Sequence, residues 1–493
     1  MNVMSADTRS QVTEAAVMES LAENKYVQKN CKNGNSATFG EILRSSDPST
    51  EDANMQILRS YVNSHSGAEN FVVEDCSSFP GGKGYGHSVF VRAGENVYVG
   101  FNGTEPNEWV DDGDGLWQAS TPQQEAATAI FDDYVNRYGL TVRDNVIVTG
   151  HSKGGNKAMY VTMTSDNAYL IDGCVALDGQ GFSQEAIDEW HRQYNGTSEY
   201  QERSGKILLV SGQNDYVHEL GLSIVDPNNR YIVDYQEKSL IGKNPGEIVG
   251  SMHGHEYLFD QKWNPQTGRY EFTANLNRDS YPGPIEAVLN QFMNQYMKLS
   301  REDRENSAPA VMKFFQKANG GKVDEITKED LDGIFMALLQ TNLGSSLIGM
   351  LSSIISMMAP YLAPWVMLYF LSLLTRVIGK RIKGEESDTV QSVGDGSKEI
   401  LLNQELFWDL KSNFDIVFDK ASEAAQYAEK AESLQHDLNI CGALTRTVNY
   451  KSERIREIMR VVVDSFSTTD KTLASEARKI GESYLGSEIY RMT

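Results

Sequence analysis

The apolar run Val146-Ile147-Val148 feeds into Gly150-His151-Ser152-Lys153-Gly154, and Gly155-Asn156-Lys157-Ala158-Met159-Tyr160 follows. A buried strand that passes through small residues into a helical stretch has few ways to fold. The chain must turn sharply from strand to helix, with backbone close to backbone where the glycines stand. A G-x-S-x-G in this setting is a nucleophile elbow, which holds the serine hydroxyl in a strained position at the carboxyl edge of a sheet. The bland alternative for Ser152 is a helix N-cap. The elbow predicts an α/β fold with Ser152 as nucleophile.

A serine nucleophile needs a base and an acid that orients it, and in this fold they follow in the order Ser, Asp, His. The next apolar strand with a polar exit is Lys206-Ile207-Leu208-Leu209-Val210, leading to Ser211-Gly212-Gln213-Asn214-Asp215. Asp215 stands where the acid is expected, although such a residue can also cap a turn. Downstream of it lie His218, His253, His255 and His436. His218 is expected to be too close in sequence to reach round Asp215, and His436 falls in a remote helical stretch. The pair in Met252-His253-Gly254-His255-Glu256-Tyr257 remains. Two histidines flanking a glycine can also bind metal, but no third ligand stands at a metal-site spacing, so neither metal nor cofactor is expected. His151, inside the elbow, is expected to line the pocket or pack.

One oxyanion donor is the backbone amide of the residue after the serine, Lys153. The second must come from an earlier loop. A hairpin reads upstream, His87 to Arg92 and Asn96 to Phe101 around Ala93-Gly94-Glu95, and it exits at Phe101-Asn102-Gly103-Thr104. That segment resembles the FRGT of the class 3 lipases and of a related group of bacterial α/β-hydrolases. In that group the elbow reads GHSKGGN, as Gly150 to Asn156 do here, and a DGPGF segment follows. Asp178-Gly179-Gln180-Gly181-Phe182 is similar to it, with Gln in place of Pro. The resemblance spans about residues 20 to 300 and implies that Thr104 supplies the second oxyanion amide and that Asp215 orients the base. His255-Glu256-Tyr257-Leu258-Phe259 is similar to the family's histidine and aromatic cluster, which favours His255 as base, with His253 as second choice. Asn102 stands where the family has an arginine that braces the loop.

Trp109-Val110-Asp111-Asp112-Gly113-Asp114-Gly115-Leu116-Trp117 follows that loop. In the lipases this position leads to the lid, and a mobile segment with exposed tryptophans would open on a lipid surface. A calcium site is the other functional reading, but the carboxylates lack the twelve-residue loop of an EF-hand. A solvated acidic turn is the expectation.

With 493 residues, two or three domains are expected. A net charge of -23 disfavours nucleic acid as partner, because phosphate binding draws on Lys and Arg, and so none is expected; it also disfavours electrostatic docking on anionic lipid. The four cysteines, Cys31, Cys76, Cys174 and Cys441, form no CxxC pair, so no disulfide framework or zinc site is indicated. Met1 to Tyr26 is polar and lacks the apolar region of a Sec signal peptide.

The composition changes after about residue 300. From Gly333 to Thr375 no residue is charged, Pro360 and Pro364 interrupt the apolar runs, and Arg376, Lys380, Arg381 and Lys383 flank them. A partner-covered or bundle-packed helix pair, a membrane-inserting hairpin, and hydrolase core are the three readings of 333–375. A polar linker follows, and then two amphipathic stripes. The first runs through Phe407, Leu410, Phe414 and Val417, the second through Ile455, Met459, Val462 and Phe466, and Gly442 lies between them. This hairpin resembles, in architecture, the helices that address substrates to the type VII secretion system. Tyr484-Leu485-Gly486-Ser487-Glu488 fits the Y-x-x-x-D/E signal of those substrates. Toxins of that system normally carry their helices first, and here the order is reversed.

The expected organisation is an α/β-hydrolase domain over 1–300, a helical region over 301–383, a linker over 384–399 and an all-α helical hairpin over 400–493. The expected activity is hydrolysis of acyl esters of glycerolipids, phospholipase A in type, by an antibacterial toxin secreted through the type VII route. Its partners would be lipid substrate, small helical chaperone-like proteins on the C-terminal helices, and the secretion machinery. The alternatives are a cytoplasmic esterase or thioesterase with an oligomerising helical domain, and a non-catalytic adaptor.

Overall fold

The computed structural model describes residues 2–32, 34–81, 84–104, 109–234 and 252–319. The expectations for 333–375, the linker and the C-terminal hairpin lie outside the described residues. Among the described residues no helix is long and apolar enough to cross a membrane.

The chain opens with α1 (Ala6–Glu19), a 3-10 turn (Ser20–Glu23) and α2 (Lys25–Asn30). Next come β1 (Ala37–Thr38), α3 (Phe39–Arg44), α4 (Ala53–Ser64), β2 (Val72–Gly81), β3 (Gly84–Ala93) and β4 (Asn96–Phe101). The alternating half follows as α5 (Trp109–Asp114), α6 (Pro122–Tyr138), β5 (Asn145–His151), α7 (Lys153–Thr164), β6 (Ile171–Leu177), α8 (Gln184–Gln193), α9 (Glu199–Gly205), β7 (Ile207–Gly212) and β8 (Arg230–Val233). A small hairpin, β9 (Phe259–Asn264) and β10 (Arg269–Leu276), precedes α10 (Pro284–Tyr296) and α11 (Arg301–Asn319).

Strands β1 to β8 lie in one sheet in chain order. β1 to β4 pair antiparallel, and the hairpin β3–β4 closes on Ala93↔Asn96, with Gly94 at a φ of 65° in the turn. From β4 to β8 every pair is parallel. Parallel strands need crossover connections, and helices on both faces bury them. The strand sequences alternate accordingly. Val97, Val99, Phe101, Val146 and Val148 pack with α6, α7 and α8 on one face. Tyr98, Ile147, Val175 and Val210 pack with α1 to α4 on the other. This is an α/β fold of the α/β-hydrolase type, with β5 near the middle of the sheet and its carboxyl end leading into α7.

The helix α11, which a boundary at residue 300 would assign to the next region, packs on the body of the fold. Ala308, Val311 and Met312 are buried, Met312 and Ala308 lie against Gly113 of α5, and Arg304 pairs with Glu185. Tyr296 at the end of α10 bonds Ser307 at 2.9 Å, and the Arg301 guanidinium lies 5.3 Å from the Trp117 ring centre. Burying a large apolar side chain contributes about 1.5–3 kcal/mol. A chain cut after residue 300 is therefore expected to melt several degrees below one cut after residue 319. Thermal unfolding followed by circular dichroism compares the two, and equal midpoints would show that α11 adds nothing to the fold.

Candidate active site

The elbow is built by contact between backbones. A Cβ on Gly150 would lie 2.3 Å from the carbonyl carbon of Gly154, and one on Gly154 would lie 2.1 Å from the Phe101 carbonyl oxygen. A Cβ on Gly155 would lie 2.9 Å from the Gly179 Cα, still too close for a side chain. These three positions admit only glycine. Ser152 between them takes φ 58° and ψ -125°, a conformation that costs a non-glycine residue about 1–3 kcal/mol. Its own amide is tied to the Leu177 carbonyl at 2.8 Å.

Three side chains meet at this serine. His253 Nε2 lies 2.7 Å from Ser152 Oγ, and His253 Nδ1 lies 2.5 Å from Asp215 Oδ2. All three are buried. Asp215 follows β7 as expected. Burial alone would raise its carboxyl, but His253 and His218 hold it well below the usual carboxylate range.

The structure brings His253, the second choice, and not the favoured His255, to Ser152 and Asp215. His255 begins a 3-10 turn (His255–Leu258), and its Nε2 lies 2.8 Å from Glu19 Oε1 and 3.2 Å from the Ala16 carbonyl of α1. It faces the N-terminal helix, while His253, two residues earlier, reaches both Ser152 and Asp215. Although burial opposes it, Glu19 raises the His255 imidazole above its ordinary value. His151 stacks on His253 with ring centres 4.7 Å apart and lies edge-on to His255 at 5.6 Å. Its Nε2 is 3.5 Å from Asp178 Oδ2. Burial would lower its proton affinity, but Asp178, then Glu19 and Glu23, push it up to about 9. His151 thus packs against both of the other imidazoles.

His218 is not the ring on Ser152, but it does meet Asp215. A turn after β7 lets its Nδ1 meet Asp215 Oδ1 at 2.9 Å, on the oxygen opposite His253. The spacing of three residues was the available signal.

The segment after the oxyanion loop departs from a solvated acidic turn. Asp111 and Asp112 in α5 are buried, and the Lys153 ammonium reaches their carboxylates at 3.0 and 3.4 Å. Burial works against the charged lysine, yet the two aspartates raise its proton affinity above the ordinary value. Trp109 is buried rather than exposed. Asp111 also accepts from Thr121 Oγ1 at 2.8 Å and Asp112 from Thr104 Oγ1 at 2.9 Å. Gln180, which replaces the family's proline, donates to the Asp112 carbonyl at 2.8 Å.

The two expected oxyanion residues lie on separate elements. Lys153 is the first residue of α7, where helix amides have no intrahelical acceptor. Thr104, three residues after β4, is anchored to α5 through its hydroxyl. Lys157, one turn after Lys153 on α7, lies 3.1 Å from Asn102 Oδ1, which also accepts from the His87 amide at 2.8 Å. On the other side Glu23 Oε1 accepts from the Gly103 amide at 3.3 Å. Burial, then Glu19, raises the Glu23 carboxyl above its ordinary range. Glu19 and Glu23 were not foreseen, because nothing in α1 marks two acids that act across the fold.

Among the described residues three groups bring possible metal-donor atoms within 4.8 Å of one another: His151, Asp178 and His253; Asp178, Asp215 and His218; and His218, Glu219 and Glu286. The His253 and His218 nitrogens in these groups are engaged in the hydrogen bonds given above and in that of His218 to Glu286 at 3.1 Å.

The family model described as Mbeg1-like matches residues 51–208, a stretch that holds Thr104, Ser152 and Lys153 and stops before Asp215. No curated protein matches the chain. Solved structures similar to it include lipase II from Rhizopus niveus, 15% identical over 48% of this chain and 82% of that one, with a TM-score of 0.28. Lip2 lipase from Yarrowia lipolytica is 12% identical over 48% and 82%, also at 0.28. The Rhizomucor miehei lipase propeptide complex is 12% identical over 47% and 70%, at 0.27.

Lys153→Met removes the cation between two buried carboxylates. It is expected to cost about 3–5 kcal/mol of stability, read from urea unfolding. Adding Asp111→Asn and Asp112→Asn should restore much of that loss. A neutral Lys153→Met would mean that the ion pairs do not hold α5.

Proposed function

We propose that this chain is a serine ester hydrolase. The observation that carries the reading is the continuous hydrogen-bonded chain from Ser152 Oγ through His253 to Asp215, at 2.7 and 2.5 Å. His253 Nε2 takes the hydroxyl proton as Ser152 attacks an ester carbonyl, and Asp215 stabilises the imidazolium that forms. The charge that develops on the carbonyl oxygen meets the amide of Lys153 and, as the FNGT resemblance implies, that of Thr104. His253 then returns the proton to the departing alcohol. Water, activated by the same histidine, releases the acid from Ser152.

The same reading takes glycerolipid esters as the substrate class, with phospholipase A action. It rests on the segments Phe101 to Thr104, Gly150 to Asn156 and Asp178 to Phe182 taken together. Export by a type VII system as an antibacterial toxin, with small helical partners on residues 400–493, belongs to the proposal through the sequence of the C-terminal half. A cytoplasmic esterase is the rival for localisation.

Fatty-acid release from a panel of phospholipids and short esters tests the activity. Ser152→Ala and His253→Ala should each lower kcat by several orders of magnitude, as removal of triad members does. His255→Ala should keep far more activity than His253→Ala, because its ring reaches Glu19 and not the serine. The reverse order would move the base to His255, and full activity in Ser152→Ala would end the triad reading.

A further inference from the structure

Asp215 is held on both oxygens. His253 meets Oδ2, while Oδ1 receives the amides of Val217 at 2.9 Å and His218 at 3.0 Å and the His218 Nδ1 at 2.9 Å. The far nitrogen of His218, Nε2, lies 3.1 Å from Glu286 Oε1 and 3.4 Å from Glu219 Oε1. Both glutamates are held by α10 or the residue that caps it. The Gly283 amide donates to Glu286 Oε2 at 3.0 Å, and Asn290 donates to Glu219 Oε2 at 2.6 Å. Glu286 is buried and His218 nearly so.

Hydrogen-bond chemistry gives the two histidines on Asp215 different protonation states. A neutral imidazole has one N–H and one bare nitrogen. His253 suits that form, with Nδ1–H donating to Asp215 and the bare Nε2 accepting from the Ser152 hydroxyl. His218 instead presents both ring nitrogens to carboxylate oxygens, which only accept. Both nitrogens must then carry protons. Burial opposes that charge, yet Asp215, Glu219 and Glu286 raise the His218 imidazole well above its ordinary value.

We propose that His218 is a positioning residue, an imidazolium fixed between Asp215 and Glu286 that keeps Asp215 ionised and aimed at His253, and so preserves the neutral, proton-accepting form of His253 to lower pH. The inference rests on the triad reading given above. A standing cation on one oxygen of Asp215 takes up part of the field that would otherwise favour a proton on His253. Around His218 the charged groups are Asp215, Glu219 and Glu286, with the Asp178 carboxylate in the same cluster. Around His253 they are Asp215 and Asp178, the stacked His151, and Tyr216 at 5.7 Å between ring centres. His255, Glu19 and Glu23 lie beyond His151. Removing the cation leaves only negative partners on that side of Asp215, so the sign is unambiguous: the acid limb of the reaction must move to higher pH.

The test is the rate at which a fluorophosphonate labels Ser152, with fluoride leaving as the Oγ–P bond forms, followed from about pH 5 to 9. His218→Asn keeps an amide donor near the Nδ1 position without charge, and His218→Phe removes both. In each variant the acid limb should rise by about 1 pH unit, the lower end of what a neighbouring charge does. The plateau at high pH should fall further in His218→Phe than in His218→Asn. A lower plateau with an unmoved limb in His218→Asn would make His218 merely structural and overturn the proposal. If the parent protein were not labelled at all, the triad reading would fail and this inference with it; a labelled parent with unmoved variants sinks the inference alone. Nitrogen NMR of the unaltered protein gives an independent readout should the variants not fold. Two protonated ring nitrogens on His218 at neutral pH are expected, and a single neutral tautomer would overturn the proposal.

Discussion

Backbone meets backbone at the elbow, and most of the site follows from that contact. Gly150, Gly154 and Gly155 let β5 turn into α7 with no side chain between them, and the Gly154 position lies against the carbonyls of Phe101 and Asn102. One steric fact therefore fixes two things. It holds Ser152 at a positive φ, and it presses the first turn of α7 against the loop that leaves β4. The loop after β4 and Ser152 are positioned by a shared contact rather than by separate supports.

That arrangement places Lys153 and Lys157 four residues apart on one face of α7, both buried. A buried ammonium costs several kcal/mol unless it is paired, so the surrounding loops are organised around these two cations. Lys153 draws in Asp111 and Asp112 and turns an acidic sequence into a packed helix under α11. Lys157 holds Asn102 on the loop that leaves β4. Gln180 adds a third tie through the Asp112 carbonyl, and its amide is what a proline at that position would lack.

The parts legible in the sequence are those that local pattern determines. Val146 to Val148 reads as a strand because apolar residues continue through it, the β3–β4 hairpin reads from its alternation, and Ser152 and Asp215 read from their places at strand ends. The burial of Asp111 and Asp112 was not legible, because it depends on a lysine some forty residues away in the chain. Nor was the packing of α11, since a charged helix beginning Arg301-Glu302-Asp303-Arg304 reads as surface until Glu185 and Gly113 are seen beside it.

The choice between His253 and His255 shows why such a miss occurs. Each histidine has an acid waiting: Asp215 for one, Glu19 for the other. Their rings stand on either side of His151, so the three imidazoles form one stack-and-edge cluster between the sheet and α1. Sequence pattern sees two equivalent histidines around Gly254. What separates them is the N-terminal helix, whose Glu19 and Ala16 carbonyl claim His255 and leave His253 to face the serine. The helix that precedes the sheet thus bears on which ring faces Ser152, through a residue that never touches that serine. With His218 on the opposite oxygen of Asp215, the hydrogen-bonded chain from Ser152 continues to a second imidazole whose far nitrogen meets Glu286.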